Sequence, residues 1–296
     1  MGDYGRPLEF GYFLVPNTDD PLLDTAKAAD RLGLDLIGVQ DHPYQHRYVE
    51  TWTLLSMVAA STERVRVFPD VASLPLRPPA VLAKAAASLD VLSGGRSELG
   101  LGAGAFWDAI EAYGGTRRTS KEAIDALEEA ITIIRKVWSG ERNLRFEGRH
   151  YQLKGAQAGP VPAHRMEIWL GVGGPRALAL AGRAADGWLP SSSWATPDKL
   201  PELHARIDTA ATDSGRKPSD IRRLYNVNGA ITDGPSEGFL RGPVEQWTDE
   251  ITGLAVGSGM DTFILWAKGD QDTQLRRFAE EIVPAVRERV AQERKA

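Results

Sequence analysis

Eight short apolar runs, each followed by an amphipathic stretch, repeat along this chain at a nearly even interval. The runs cover 8–15, 34–40, 65–74, 97–102, 167–172, 186–190, 223–231 and 260–267. The stretches between them, 22–32, 51–61, 79–92, 120–138, 175–185, 198–214, 243–256 and 273–292, carry apolar residues at helical spacing. Strands that are apolar on both faces belong to a parallel sheet covered by helices. Eight strand–helix units in 296 residues is the count of a closed (β/α)8 barrel, or TIM barrel. A doubly wound sheet is the rival. No break in composition divides the chain, so residues 1–296 read as one α/β domain. Helix ends agree with this register: Pro175 follows two glycines, and Gly33 and Gly94 stand just past helical patterns.

One segment breaks the spacing. Residues 140–164 read as an insertion after the fourth helix, extending to about position 165, with 144–146 and 150–153 alternating like a hairpin around Glu147 and Gly148. Its glycine- and proline-rich end is a loop, either a lid or a passive surface excursion.

Composition narrows the function classes. The formal charge of −5 gives no general attraction to nucleic acid or to an anionic membrane. No apolar run reaches the ~18 residues of a membrane span, and the N-terminal residues carry no secretory pattern. The absence of cysteine excludes disulfides, thiolate catalysis and cysteine-ligated metal. A cytoplasmic enzyme acting on a small molecule is the expectation.

In a barrel of this kind, chemistry gathers at the carboxyl ends of the strands. After the second run come Asp41 and His42, with His46 four residues on. An acid beside an imidazole can hold a ligand or move its proton. The plainer alternative is that Asp41 caps a turn and His42 fills the barrel mouth. Pro43 argues against a helical zinc pair, so no metal is expected. After the third run, Pro75, Pro78 and Pro79 read as a stiff entry into a helix. After the fourth, Gly102, Ala103 and Gly104 allow backbone to approach a flat ligand closely. They do not match a dinucleotide fingerprint, because its acidic partner would fall inside a helix. After the fifth run, Gly171, Val172, Gly173 and Gly174 lead into a helix whose free amides suit an anion. Ser191 and Ser192, after the sixth, add donors to what reads as a phosphate cradle.

In this order the segments resemble the luciferase-like superfamily of flavin- and deazaflavin-dependent oxidoreductases. The resemblance runs from about residue 8 to 284 and rests on Asp41-His42, on 92–96 leading into 100–104, on 146–151, and on 168–174 followed by 184–188. It implies a TIM barrel and a non-proline cis bond after strand three, at Ser73-Leu74, backing the redox ring. It also implies that Gly102–Gly104 flank the ring, that Asp41 and His42 line its polar edge, and that Gly171–Gly174 with Ser191 and Ser192 take the phosphate.

The compact length and the segment 40–45 favour the coenzyme F420 branch, with FMN as the alternative cofactor. An F420-dependent hydride transfer is the leading reading, with His42 or His46 relaying a proton. An FMN-dependent monooxygenase fed by a partner flavin reductase is the second, and a non-catalytic flavin-binding protein the third. The resemblance also implies a homodimer. Arg77, Arg117 and Arg118 are read as solvated charges. Three positions depart from the sugar-phosphate dehydrogenases of that branch. Ala105 replaces an acid, His46 an aromatic and Trp194 a phosphate-binding lysine, so glucose 6-phosphate is not the expected substrate. Asp108, Asn226 and Asn228 are secondary candidates for binding substrate, and Trp107, Trp194 and Trp266 for an apolar pocket.

Overall fold

A computed structural model describes residues 2–295. All eight runs form strands. The first half of the barrel is β1 (Glu9–Leu14), α1 (Leu22–Arg31), β2 (Leu36–Val39), α2 (Thr51–Ser61), β3 (Arg66–Pro69), β4 (Ala72–Ser73), α3 (Pro79–Ser93) and β5 (Leu99–Gly102). A short α4 (Trp107–Ala112), which no periodicity announced, precedes α5 (Ser120–Trp138). The insertion carries β6 (Leu144–Glu147) and β7 (Gln152–Ala156). The second half continues with β8 (Ile168–Leu170), α6 (Pro175–Ala184), β9 (Gly187–Trp188), α7 (Leu200–Asp213), β10 (Arg222–Ile231), β11 (Arg241–Gly242), α8 (Val244–Ser258) and β12 (Thr262–Ala267). The last helical stretch is α9 (Gln271–Arg277), a π turn and α10 (Val283–Glu293). The π turn ends beside Pro284, which has no amide to continue the α-helical ladder.

The barrel strands run parallel in the order β3-β2-β1-β12-β10-β9-β8-β5-β4. β3 and β4 are two pieces of one strand. β3 pairs with β2 (Val39 opposite Pro69), and β4 pairs with β5 (Ser73 opposite Gly102). Asp70 and Val71 lie between them, and a parallel bridge from Val67 to Ser97 closes the ring.

The third strand is therefore not continuous over 65–74, and the expected cis bond is displaced. The cis peptide joins Asp70 and Val71, not Ser73 and Leu74. Ser73 is already in the ladder with β5, and Leu74 begins a 3-10 turn buried in the core. The chain changes partner three residues earlier than the resemblance suggested.

Two cores result. The larger lies between sheet and helices, around residues such as Phe10, Leu55, Ile134 and Trp188. The smaller fills the barrel with Phe13, Leu36, Phe68, Trp169, Leu189, Leu224 and Ile264. Below it, at the strand N-termini, Arg66 bonds Glu9 (2.6 Å) and Glu98 (2.9 Å), and Arg222 bonds Glu9 (3.0 Å). This interior is packed rather than hollow, which leaves the opposite rim for ligands.

The insertion is pinned to α5. The Glu129 carboxylate accepts the amides of Arg149, His150 and Tyr151 at 2.7–3.0 Å. No residue of 140–165 lines either cavity at the barrel mouth.

Candidate functional site

The strand C-termini open onto two adjoining cavities. The outer one, about 350 Å³, lies between Val71–Ser73 on one side and Gly102–Trp107 on the other, with Asp41, His42 and Tyr44 at one end and Gly171–Gly173 at the other. The inner one, about 490 Å³, reaches toward the barrel axis past Gln40, Asp70, Ser191 and Asn226, among Phe13, Leu189, Trp194 and Trp266. His42, Val71 and Phe106 belong to both walls.

Val71 explains the nearby glycines. A Cβ on Gly102 would come within 2.8 Å of a Val71 methyl, and one on Gly171 within 2.8 and 2.9 Å of its two methyls. On Gly100 a Cβ would strike the Pro69 carbonyl oxygen at 2.2 Å. The flanking strands thus lack side chains so that the turn at 70–71 can seat between them. Gly104, at φ +100°, lies against Pro75 and Trp107.

Asp41 is fully engaged rather than free. Its carboxylate accepts the Ser73 amide (2.8 Å) and both arms of Arg77, Nε at 2.8 Å and Nη2 at 2.7 Å. Arg77 also reaches Glu50 at 2.7 Å, and Glu50 in turn caps α2 by accepting the Thr53 amide. The sequence reading of Arg77 as a solvated charge is therefore corrected: it is half-buried and fixes the wall of the site. Bidentate geometry of this kind specifies orientation as well as attraction.

His42 sits against Tyr44 and Phe106, with both ring centroids 5.3 Å away. Its Nδ1 is 2.7 Å from the Tyr44 hydroxyl. Burial holds the His42 pKa below the usual imidazole value, and the opposing pull of the Asp41 carboxylate is smaller. Burial, with help from Asp41, pushes the Tyr44 phenol up to about 12. A neutral imidazole accepting from a neutral phenol at Nδ1 carries its own proton on Nε2.

Asp70 is the residue that sequence reasoning missed. It is 7% exposed, and Asn226 beside it 3%. Asn226 Nδ2 donates to Asp70 Oδ1 at 3.1 Å, while Asp70 Oδ2 and Asn226 Oδ1 have no partner. Burial pushes the Asp70 carboxyl up to about 7, against the lowering effect of the Asn226 bond.

The remaining candidates separate. Gly102, Ala103, Gly104 and Ser73 line the outer cavity; Gly171, Val172 and Gly173 line both. Leu74 is buried in the outer core. His46 is exposed and lines neither cavity, so the structure does not bring it to His42. Gly174 is the exposed N-cap of α6, whose first-turn amides have no partner within the helix. Ser191 faces the inner cavity, but Ser192 is buried and its Oγ accepts the Asn228 amide at 3.0 Å. Trp194, from the same loop, packs on Gly173, where a Cβ would lie 3.0 Å from the indole. The two loops thus meet through an aromatic ring, and the free backbone amides lie at the α6 N-terminus. Of the secondary candidates, Asn226 and Trp266 reach the inner cavity and Trp107 the outer, whereas Asp108 is exposed and paired with Arg117. Among the described residues no cluster of His, Asp or Glu could hold a metal ion.

Comparison with known proteins agrees with this architecture. Residues 9–237 match the family described as luciferase-like monooxygenase. An F420-dependent glucose-6-phosphate dehydrogenase of Kineococcus radiotolerans is 33% identical over 248 residues, covering 79% of this chain and 71% of that protein. Among solved structures, an F420-dependent secondary alcohol dehydrogenase in complex with an F420-acetone adduct superposes with a TM-score of 0.84 at 20% identity, covering 95% of this chain and 99% of the other. A monooxygenase from Streptomyces bottropensis does so with a TM-score of 0.77 at 23% identity, covering 94% and 99%.

Proposed function

Because this chain belongs to the luciferase-like monooxygenase family, we propose that it is an F420-dependent oxidoreductase whose outer cavity takes the deazaflavin ring and whose inner cavity takes the organic substrate. The observation that carries this reading is the shared wall. A ring in the outer cavity would meet a molecule in the inner one across His42, Val71 and Phe106. The names of the sequence relatives favour F420 over FMN.

The residues fit such a cofactor. Val71 gives an apolar back wall, and the glycine-lined slot leaves room for a flat ring. The α6 N-terminus at Gly173–Gly174 suits a phosphate. When bound, the deazaflavin supplies or accepts a hydride at a ring carbon. The protein's part is positional. Arg77 holds Asp41, Asp41 holds the Ser73 backbone, and the Tyr44 hydroxyl bonds the His42 ring at Nδ1. A neutral His42 with its proton on Nε2 can donate a hydrogen bond from that nitrogen to an atom in either cavity. A homodimer is part of this reading, favoured by the exposed apolar Met57 and Leu92 on the α2 and α3 surfaces. Among the described residues no helix is long and apolar enough to cross a membrane.

The test is a fluorescence titration of the purified chain with oxidised F420 and with FMN. Saturable binding of F420 at concentrations where FMN stays free is expected. Tight FMN binding with indifference to F420 would replace this reading with that of a flavin monooxygenase.

A further inference from the structure

The inner cavity holds one polar feature that the reading above leaves without a task. Asp70, in the joint between β3 and β4, and Asn226, on β10, are 156 residues apart and meet through a single hydrogen bond. Each keeps a buried oxygen with no partner, and both residues line the cavity. Asp70 Oδ2 lies over Gly38 of β2, where a Cβ would come within 2.9 Å of it. A buried polar atom is expected to be hydrogen-bonded, and these two oxygens are the unpaired side-chain groups of the cavity wall.

Resting on the proposal that the outer cavity holds the redox ring, we infer that the inner cavity binds a small uncharged, largely apolar molecule by one carbonyl or hydroxyl oxygen. On this inference, protonated Asp70 donates to that oxygen through Oδ2. Asn226 holds the other carboxyl oxygen and offers its own Oδ1 to any hydroxyl hydrogen on the ligand. Asp70 thereby does the acid's work that Ala105, on the same cavity wall, cannot.

The surroundings decide the ligand's charge. No lysine or arginine lines the inner cavity, so a phosphate group would have no counter-charge there. Phe13, Leu189, Trp194 and Trp266 supply the apolar walls. His42 is the one other titratable side chain in that lining, and its lowered pKa keeps it uncharged at and above neutrality. The elements packed on Asp70 present Gly38 from β2 and Asn226 from β10, neither of which titrates. The raised Asp70 pKa of about 7 fits a carboxyl that keeps its proton in this setting.

The experiment uses cyclohexanone as the probe, with and without bound F420, followed by tryptophan fluorescence and by the infrared carbonyl stretch of the probe. Binding is expected to weaken about thirtyfold between pH 6 and pH 8.5, as Asp70 loses its proton. Asp70→Asn, which keeps a donor and the shape, should bind with little dependence on pH. Asp70→Leu should lose the hydrogen-bonded carbonyl band at both pH values, and glucose 6-phosphate should not bind. The inference is overturned if wild type shows no pH dependence, if Asp70→Asn keeps it, or if cyclohexylammonium binds more tightly than the ketone at pH 8.5. F420 affinity is measured separately for each protein. A wild type that ignores F420 would end the cofactor reading, while the probe's pH profile would still report on Asp70.

Discussion

At the scale of single residues, the site is built by side chains that hold other side chains. Replacing Arg77 by Met would leave the Asp41 carboxylate buried beside one amide, with its cationic partner gone. A loss of about 3 kcal/mol in urea unfolding is expected, together with weaker cofactor binding. Gly171→Ala tests the seating of Val71. The new methyl must push into the Val71 side chain, so a destabilisation of about 1–3 kcal/mol and a distorted outer cavity should follow. The Asp-His pair was legible because two polar groups interrupt an otherwise apolar pattern at a strand end. Asp70 was not, because Phe68, Pro69, Val71 and Ala72 around it read as an unbroken strand. Arg77 was illegible for a related reason: its partner lies 36 residues upstream, and only the fold brings them together.

Among elements, one tie between insertion and barrel runs through an imidazole. The Asp90 carboxylate of α3 accepts the amides of Ser97, Ala163 and His164, and the His164 ring bonds Asp90 at 2.9 Å and Glu98 at 3.3 Å. The Glu98 bond raises the His164 pKa, against a smaller effect of burial and with help from Asp90. The sign follows from linkage. A group held more tightly protonated in the folded state contributes stability below its unfolded pKa of about 6.5, and that stability is lost as pH rises through the folded value. The melting temperature of wild type should therefore exceed that of His164→Gln at pH 6, and the gap should shrink by pH 9. The partial exposure of the ring keeps the effect within about 1 kcal/mol. The hairpin itself was visible as alternation around Glu147 and Gly148. Its attachment through Glu129 was not, since the carboxylate acts on three backbone amides some 20 residues away.

For the molecule as a whole, all eight strand–helix units were readable, because strands buried on both faces cannot hide their composition. The division of labour at the rim was not, since two cavities sharing a wall leave no separate trace in the order of residues. The interrupted third strand has a broader consequence. β3 is hydrogen-bonded to one half of the barrel and β4 to the other, and of the two residues between them Asp70 keeps only its backbone amide on β2, donating to the Val39 carbonyl at 2.7 Å. The scaffold can therefore tolerate new chemistry at position 70 without breaking a strand pair, and diversity introduced at this joint would retune what the enzyme accepts while the architecture stays fixed.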